Sequence, residues 1–558
     1  MSSKHENSAV NGLSVSQWLS LLTALDADSI SILRECYGDC YKDYIQSDSP
    51  LILALNRYLD TYGDDEVRIF RAPGRVNLRG MHVDTHGGYQ NLMAHQSEVV
   101  VVAAQEESGR LRLVNVDAKH PDLDTNTDDF TDGEAFKLGW EDFITHPDIE
   151  AKRKDTPGHW QHYALGALLR VQYDFKDEAL CGIRGAVAGS VPQGAALSSS
   201  AALCVALVQA GLGLNSKSLS SAALILASRD AEWFSGARTG TADQTAVIMS
   251  KPGQIVHGPL FSEDFSTDTL RYTPFPDDLR LLVIQSNTSR NLSGSALIAY
   301  TANRFAYSMA MAVLQQVCDR LGIAHVNGAK LNRLANLSPT LLGGEAELYR
   351  ALREIPEEMH IEAIQAQYHI PDFKASYMRY FGGVPEADRP TQIPLRGPLL
   401  FGIAESERGR VFAQLLAAEA YMEAGALMTA GHNGDRVMNP DGTAYPAATT
   451  WDDATPVTHI PGAYGASSPA LDALVDAALA GGALGASLTG AGIAGTVLAL
   501  CKADNVDAVA ETVMTCLESP DYAKRAGFEV PLSATQARES VALHHAIAGA
   551  GELVITYK

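Results

Sequence analysis

The stretch that most constrains this 558-residue chain is VPQGAALSSSAAL, residues 191–203. Pro192 and Gly194 mark a turn, Ser198, Ser199 and Ser200 offer N-cap oxygens, and the apolar residues from Ala201 to Leu207 carry a helix onward. Just before it, GIRGAVAGS (182–190) reads as a short buried strand. Strand, small-residue loop and helix start is an arrangement that receives phosphate. Free backbone N–H groups and the positive end of the helix dipole point at one spot, and small residues admit the anion. No formal charge occurs from Gly185 to Ser216, which suits an anion met by backbone dipoles. It is not a Walker loop, because no Gly-Lys-Ser/Thr follows. The same residues also suit a small-residue helix start packed in a core.

The length allows two or more domains with a large core, and 20% charged with 46% hydrophobic residues is an ordinary globular balance. A formal charge of −23 argues against a nucleic-acid or acidic-membrane partner, which would want a basic face. It leaves ATP open. The opening MSSKHENSAVNGLSVSQW has no apolar core segment, so no secretory leader is expected. Seven scattered cysteines fit reduced thiols in a cytoplasm, and Cys36 with Cys40 lacks the second pair that zinc would need. Residues 477–501 are uncharged and long enough to mimic a membrane helix, but six glycines in 25 residues make a poor one. Nothing in the sequence sets an oligomeric state.

Helix-period apolar residues in SVSQWLSLLTAL and SPLILALNRYLDTYG predict a helical N-terminal extension. Two strand-like runs, 67–70 and 98–104, flank a Gly-rich polar middle, and residues 117–159 read as a surface excursion. Helices are expected over 160–173, 218–236 and 295–317, a buried strand over 279–286, and further helices near 344–367 and 407–430. A Pro/Asp/Thr-rich loop follows at 434–461, then helix, Gly-rich loop, strand and a terminal ELVITY strand. This order predicts an α+β or two-domain α/β chain, divided as 1–290 and 291–558.

Three small-residue segments together resemble the GHMP kinase superfamily, and within it the galactokinase-like sugar kinases. They are RAPGRVNLRGMHVDTHGG (71–88), similar to the galactokinase signature APGRVNLIGEHTDYNGG, then VPQGAALSSSAA (191–202) and GALGASLTGAGIAG (482–495). Landmarks between them agree in order: Trp160 with Tyr163 and Gly166, Gly240 to Gln244, Tyr300 followed by Arg304, GALMTAGHNG (425–434) and SSPALDALV (467–475). The resemblance implies an N-terminal domain like the second domain of ribosomal protein S5 and a ferredoxin-like C-terminal domain, with ATP and a sugar between them. It implies an ATP- and magnesium-dependent kinase acting on the anomeric hydroxyl. The alternative it leaves is a sugar- and ATP-binding sensor that does not turn over.

Carried over residue by residue, Asp243 matches the catalytic aspartate, which takes or orients the acceptor proton, and Arg75 the arginine beside it. Gly194, Ala195, Ala196, Leu197, Ser198, Ser199 and Ser200, with Thr489, Gly490, Ala491 and Gly492, match the ATP-binding loops. Ser200 is the expected magnesium ligand. Its carboxylate partner would fall at Ala231, with Asp230 and Glu232 on either side, and Glu232 is the one assigned. Ser487 stands where the family often has a basic residue.

His82, Asp84, Gly240 and Tyr300 match sugar contacts. His86 reads as loop polarity. Met81 stands where galactokinases have a glutamate that binds near the C6 hydroxyl, which disfavours plain galactose and puts galacturonate narrowly ahead of galactose and arabinose. Two-residue alternation would place Arg79 on the same side as Arg75 and Met81, where it could pair with a substrate carboxylate; a surface or inter-domain salt bridge is the other reading.

Overall fold

The computed structural model describes residues 9–10, 12–154, 159–261, 265–288 and 294–556. Its larger sheet is organised on two long antiparallel strands, Glu66–Arg79 and Tyr89–Glu106. The Gly-rich middle expected to interrupt them is short: both strands run well into it, leaving only residues 80–88 as the turn. Gly182–Gly189 pairs with the second strand, Arg110–Asn115 lies parallel to Gly182–Gly189, and Leu123–Asn126 closes that side. On the other side Gln254–Pro259 pairs with the start of Tyr89–Glu106.

The uninterrupted apolar run 99–104 follows from burial on both faces. Val99, Val101 and Ala103 pack under the helices His159–Asp174 and Ser199–Leu214. Val100, Val102 and Ala104 face Trp18, Leu51, Leu55 and Tyr58 of the N-terminal helices Val15–Ala24 and Pro50–Tyr62. The N-terminal extension is therefore the cover of the sheet's second face.

A second, all-antiparallel sheet runs Gly485–Thr489, Thr496–Lys502, Leu279–Gln285, Val541–Leu543. The helices Pro469–Ala480 and Val506–Leu517 pack on it. A cut at 290 does not follow these strands. Leu279–Gln285 is central to the second sheet, and Gly551–Glu552 returns to the edge of the first, opposite Phe70 and Arg71. A mostly helical body with its own core includes the long helix Gly294–Leu321 and the buried Arg396–Ala417, the second of which packs against the first sheet. The membrane-like stretch 477–501 is a helix end and two strands. No helix among the described residues is long and apolar enough to cross a membrane.

Candidate active site

The loop 190–198 curls into the helix Ser199–Leu214 through positive φ at Gly194, Ala196 and Ser198. Left-handed residues at such a helix start turn backbone N–H groups toward one concavity, and their presence in Ala and Ser is local strain held by the surroundings. Ser198 does not cap the helix with its side chain, as the sequence suggested. Its hydroxyl donates instead to Asp243 Oδ2.

Asp243 sits in the first turn of the helix Ala242–Met249. Its other oxygen accepts from Arg75 Nε (2.8 Å) and lies 2.7 Å from a second Arg75 nitrogen. Arg75 also donates from its third nitrogen to the Ala196 carbonyl (2.5 Å), while its backbone N–H donates to the Leu197 carbonyl (3.0 Å). One arginine thus fixes the aspartate to the small-residue loop.

One turn along, Ser200 donates to Glu232 (2.6 Å), whose other oxygen accepts from Gln244 (2.7 Å) and Thr239 (3.2 Å). Burial first, and then the Asp243 charge, push the Glu232 carboxyl up to about 7. Among the described residues no three His, Cys, Asp or Glu side chains gather to hold a metal by themselves. One carboxylate and one hydroxyl beside a phosphate-receiving loop nevertheless fit magnesium, which takes few protein ligands and completes its shell with phosphate oxygens and water.

The third small-residue loop closes over the loop 190–198. Gly490 stands so near the Ala196 carbonyl that a Cβ would overlap it, and Thr496 donates to the Ala195 carbonyl (2.6 Å). Thr489 is fully buried, with its hydroxyl exchanging hydrogen bonds with the Asn77 backbone (2.9 and 3.1 Å). It ties the two sheets together, and that hydroxyl is not free for phosphate.

Two cavities have walls that bond to Glu232. The smaller, about 360 Å³, is lined by Trp160, Tyr163, Gly194, Ser199 and Ser200. The larger, about 780 Å³, is lined by His86, Thr239, Gly240, Arg304 and Tyr464 among others. Glu232 joins them, bonding Ser200 of one and Thr239 of the other. The Asp84 carboxylate lies directly behind Gly240 and leaves no space for a side chain there. Burial, and next the Asp243 charge, raise its affinity for a proton.

Three descriptions of known families match the chain: the galactokinase galactose-binding signature at residues 56–105, the GHMP kinases N terminal domain at 162–251 and the GHMP kinases C terminal at 412–516. The chain belongs to the GHMP kinase superfamily. Within it, the chain is 25% identical to a galactokinase of Streptomyces coelicolor over 82% of its own length and 90% of that protein. It is 26% identical to a galactokinase of Chloroflexus aurantiacus, with the same shares covered. The fold matches Lactococcus lactis galactokinase complexed with galactose at a TM-score of 0.58 and 18% identity, covering 89% of this chain and 98% of that one. The fold is accordingly the two-domain α+β fold of GHMP kinases.

Against the galactokinase-like pattern, two expected substrate contacts are corrected. Arg79 is 1% exposed and engaged inside the protein, with Ser487 (2.9 Å), Glu405 (3.4 Å) and the carbonyls of Leu427 and Met428 (3.2 Å each). It is the inter-domain salt bridge and not a partner for a substrate carboxylate. Glu405 also accepts from Arg408 (2.7 Å) and Gly80 (2.8 Å); burial opposes its charge, but the two arginines prevail and hold it below the ordinary carboxylate range. The Met81 side chain packs among Leu282, Ile284, Leu471 and Leu488 and does not line the large cavity. Register shifts between Pro73 and Arg75 and between Asn77 and Arg79 break the two-residue alternation on which the Arg79 reading rested.

His82, at φ +63°, stacks on Tyr464 (4.6 Å between ring centres), and Tyr300 meets the same ring edge-on at 6.4 Å. Of the expected sugar contacts, Gly240 lines the cavity, while Asp84, His82 and Tyr300 support its wall from behind. The sequence reading missed His86, which lines the cavity between Thr85 and Ser308 (3.0 Å each). Burial first, and the Arg304 charge second, lower it to about 4, so its ring is neutral at pH 7. It also missed Glu141 and Asp142, which the excursion at 117–159 brings to the cavity rim. Trp140 anchors that excursion by donating to the Asp230 carbonyl (3.0 Å).

Proposed function

We propose that this protein is an ATP-dependent sugar kinase that phosphorylates the anomeric hydroxyl of a galactose-like sugar, with galacturonate ahead of galactose and arabinose. The observation that carries this is the Arg75–Asp243–Ser198 unit beside a strand–loop–helix phosphate cradle, with two nearby cavities whose walls are linked through Glu232. Three matched family segments and the galactokinase relatives support a sugar kinase of galactokinase type.

ATP occupies the smaller cavity in this reading, its phosphates on residues 194–200 and under the loop 489–492. Ser200 and Glu232 hold magnesium, which supplies charge neutralisation to the phosphates. The acceptor enters from the larger cavity. Asp243, immobilised by Arg75 and Ser198, orients its hydroxyl and takes the proton as the new O–P bond forms and the bond from the γ-phosphorus to the bridging oxygen breaks, releasing ADP. Arg75, with its permanent charge, stabilises negative charge on the group in transit. No phosphoenzyme is involved. The protein works on a free small molecule in the cytoplasm, where ATP is supplied and its cysteines stay reduced.

ATP consumption coupled to sugar-phosphate detection, across galactose, galacturonate, glucuronate, arabinose and N-acetylgalactosamine, tests the proposal. Turnover with product phosphorylated at C1 is expected. Sugar-dependent ATP binding without turnover on any of the five contradicts it.

A further inference from the structure

Three arginines from distant parts of the chain converge on the larger cavity. Arg238 comes from the loop two residues before Gly240, Arg304 from the helix Gly294–Leu321, and Arg379 from the helix Phe373–Phe381. Arg304 and Arg379 form no hydrogen bond or ion pair among the described residues. Arg238 lies over Trp233 (5.3 Å) and uses one nitrogen on the Trp233 and Ala237 carbonyls, leaving the rest of its fork open. The carboxylates facing them are Glu141 and Asp142 at the rim and Asp84 behind Gly240.

This arrangement runs against the composition. In a chain of net charge −23, arginines mostly find carboxylates: Arg68, Arg71, Arg75, Arg79, Arg184, Arg408 and Arg436 all do. Gathering like charges in one concavity is unfavourable unless anions join them: burial most of all lowers the hold of Arg238 on its proton, Glu141 opposes this, and Arg153 and Arg379 add to it. Planar forks with open donors suit a carboxylate or a phosphate ester, which they bind through paired charge-assisted hydrogen bonds. Tyr307, Tyr380, Tyr464 and Trp233 line the same cavity. The volume, about 780 Å³, lies toward the upper end of the 300–1,000 Å³ typical of ligand pockets.

We propose that the acceptor is an acidic sugar, whose anionic group, away from the reacting hydroxyl, is bound by Arg304 and Arg379 with Arg238 completing the site. The inference rests on the reading of this cavity as the acceptor site. It replaces Arg79 and Met81 as the physical basis for an acidic substrate.

Calorimetric titration of the full-length protein with galactose, galacturonate and galactose 6-phosphate tests it, at low and high ionic strength. Wild type is compared with Arg304→Gln and with a double variant, Arg238→Ala with Arg379→Ala. The last two positions are exposed, so the double variant is expected to fold. At low salt one of the two acidic sugars should bind about tenfold or more tightly than galactose, and that advantage should shrink at high salt and fall toward unity in both variants. The tighter of the two identifies the anion as carboxylate or phosphate. Equal binding of all three sugars, binding of none, or an acidic preference that survives both variants overturns the proposal. ATP turnover in the same preparations separates it from the kinase reading. Acidic sugar bound without turnover sinks the kinase and keeps the site, and turnover of galactose with no acidic preference does the reverse.

Discussion

Glu232 is the residue on which stability and function pull in opposite directions. Its carboxyl ordinarily titrates at 4.5 and is raised to about 7 in the folded protein. Between these values the folded state holds more protons than the unfolded state, so stability falls as pH rises from 4.5 to 7 and the full cost persists above 7. A shift of this size in a buried group corresponds to about 3 kcal/mol. Glu232→Gln should therefore raise the unfolding free energy of the nucleotide-free protein at pH 8 by about 2–3 kcal/mol. It should give no such gain at pH 4, and it should weaken magnesium-ATP binding. Urea denaturation at the two pH values checks the first part; an equal effect at both contradicts it.

Single residues were legible where chemistry demands a fixed side chain at a fixed interval. Asp243, Arg75, Ser198, Ser200 and Glu232 come together, and Ser200 meets Glu232 rather than the position one residue earlier. Arg79 was misread because alternation was assumed through a strand that bulges twice, and Met81 because its place in the motif was taken as a place in the site. Arg238 and Arg379 gave no signal, since a lone arginine in a loop or a short helix looks like surface charge until the fold brings it to a cavity.

At the scale of elements, the turn at 80–88 is held by a buried ionic cluster. Glu405 on the helix Arg396–Ala417 receives Arg79, Arg408 and the Gly80 and Met81 N–H groups. Removing one partner of such a cluster leaves charge buried without full compensation, which costs about 3–5 kcal/mol. Arg79→Ala should lower the unfolding free energy by that amount in chemical denaturation. The ratio of affinities for acidic and neutral sugars should stay as in wild type; a collapse of that ratio would restore Arg79 to the substrate. The excursion at 117–159 was misjudged for a different reason. Its average composition is polar, yet Phe130, Trp140, Phe143, Ile144 and Ile149 pack together against Leu165, Leu169 and Phe234. Spaced singly along the chain, those side chains showed no period, and only the packing reveals that the segment walls the larger cavity.

Across the whole molecule, the chain end stitches the two sheets. Val541–Leu543 pairs with Leu279–Gln285, and Gly551–Glu552 pairs with Phe70 and Arg71, where Glu552 also meets Arg68. Deleting residues 541–558 should quicken amide exchange at Phe70–Arg71 and at 282–284 together, because one segment provides an edge strand to each sheet. Protection lost in one sheet alone would contradict that coupling. Two domains and their order were readable from the three small-residue segments. The return of the terminus was not, since a two-residue edge strand has no pattern that sequence can carry.

The most direct test of the account is the rate of sugar-phosphate formation from ATP by wild type and by Asp243→Asn, with sugar binding measured on both. A carboxylate that orients and deprotonates the acceptor predicts a loss of about 10²–10⁴ in kcat, with sugar affinity retained. Turnover by the variant within a few-fold of wild type would contradict the assignment of phosphoryl transfer to this site.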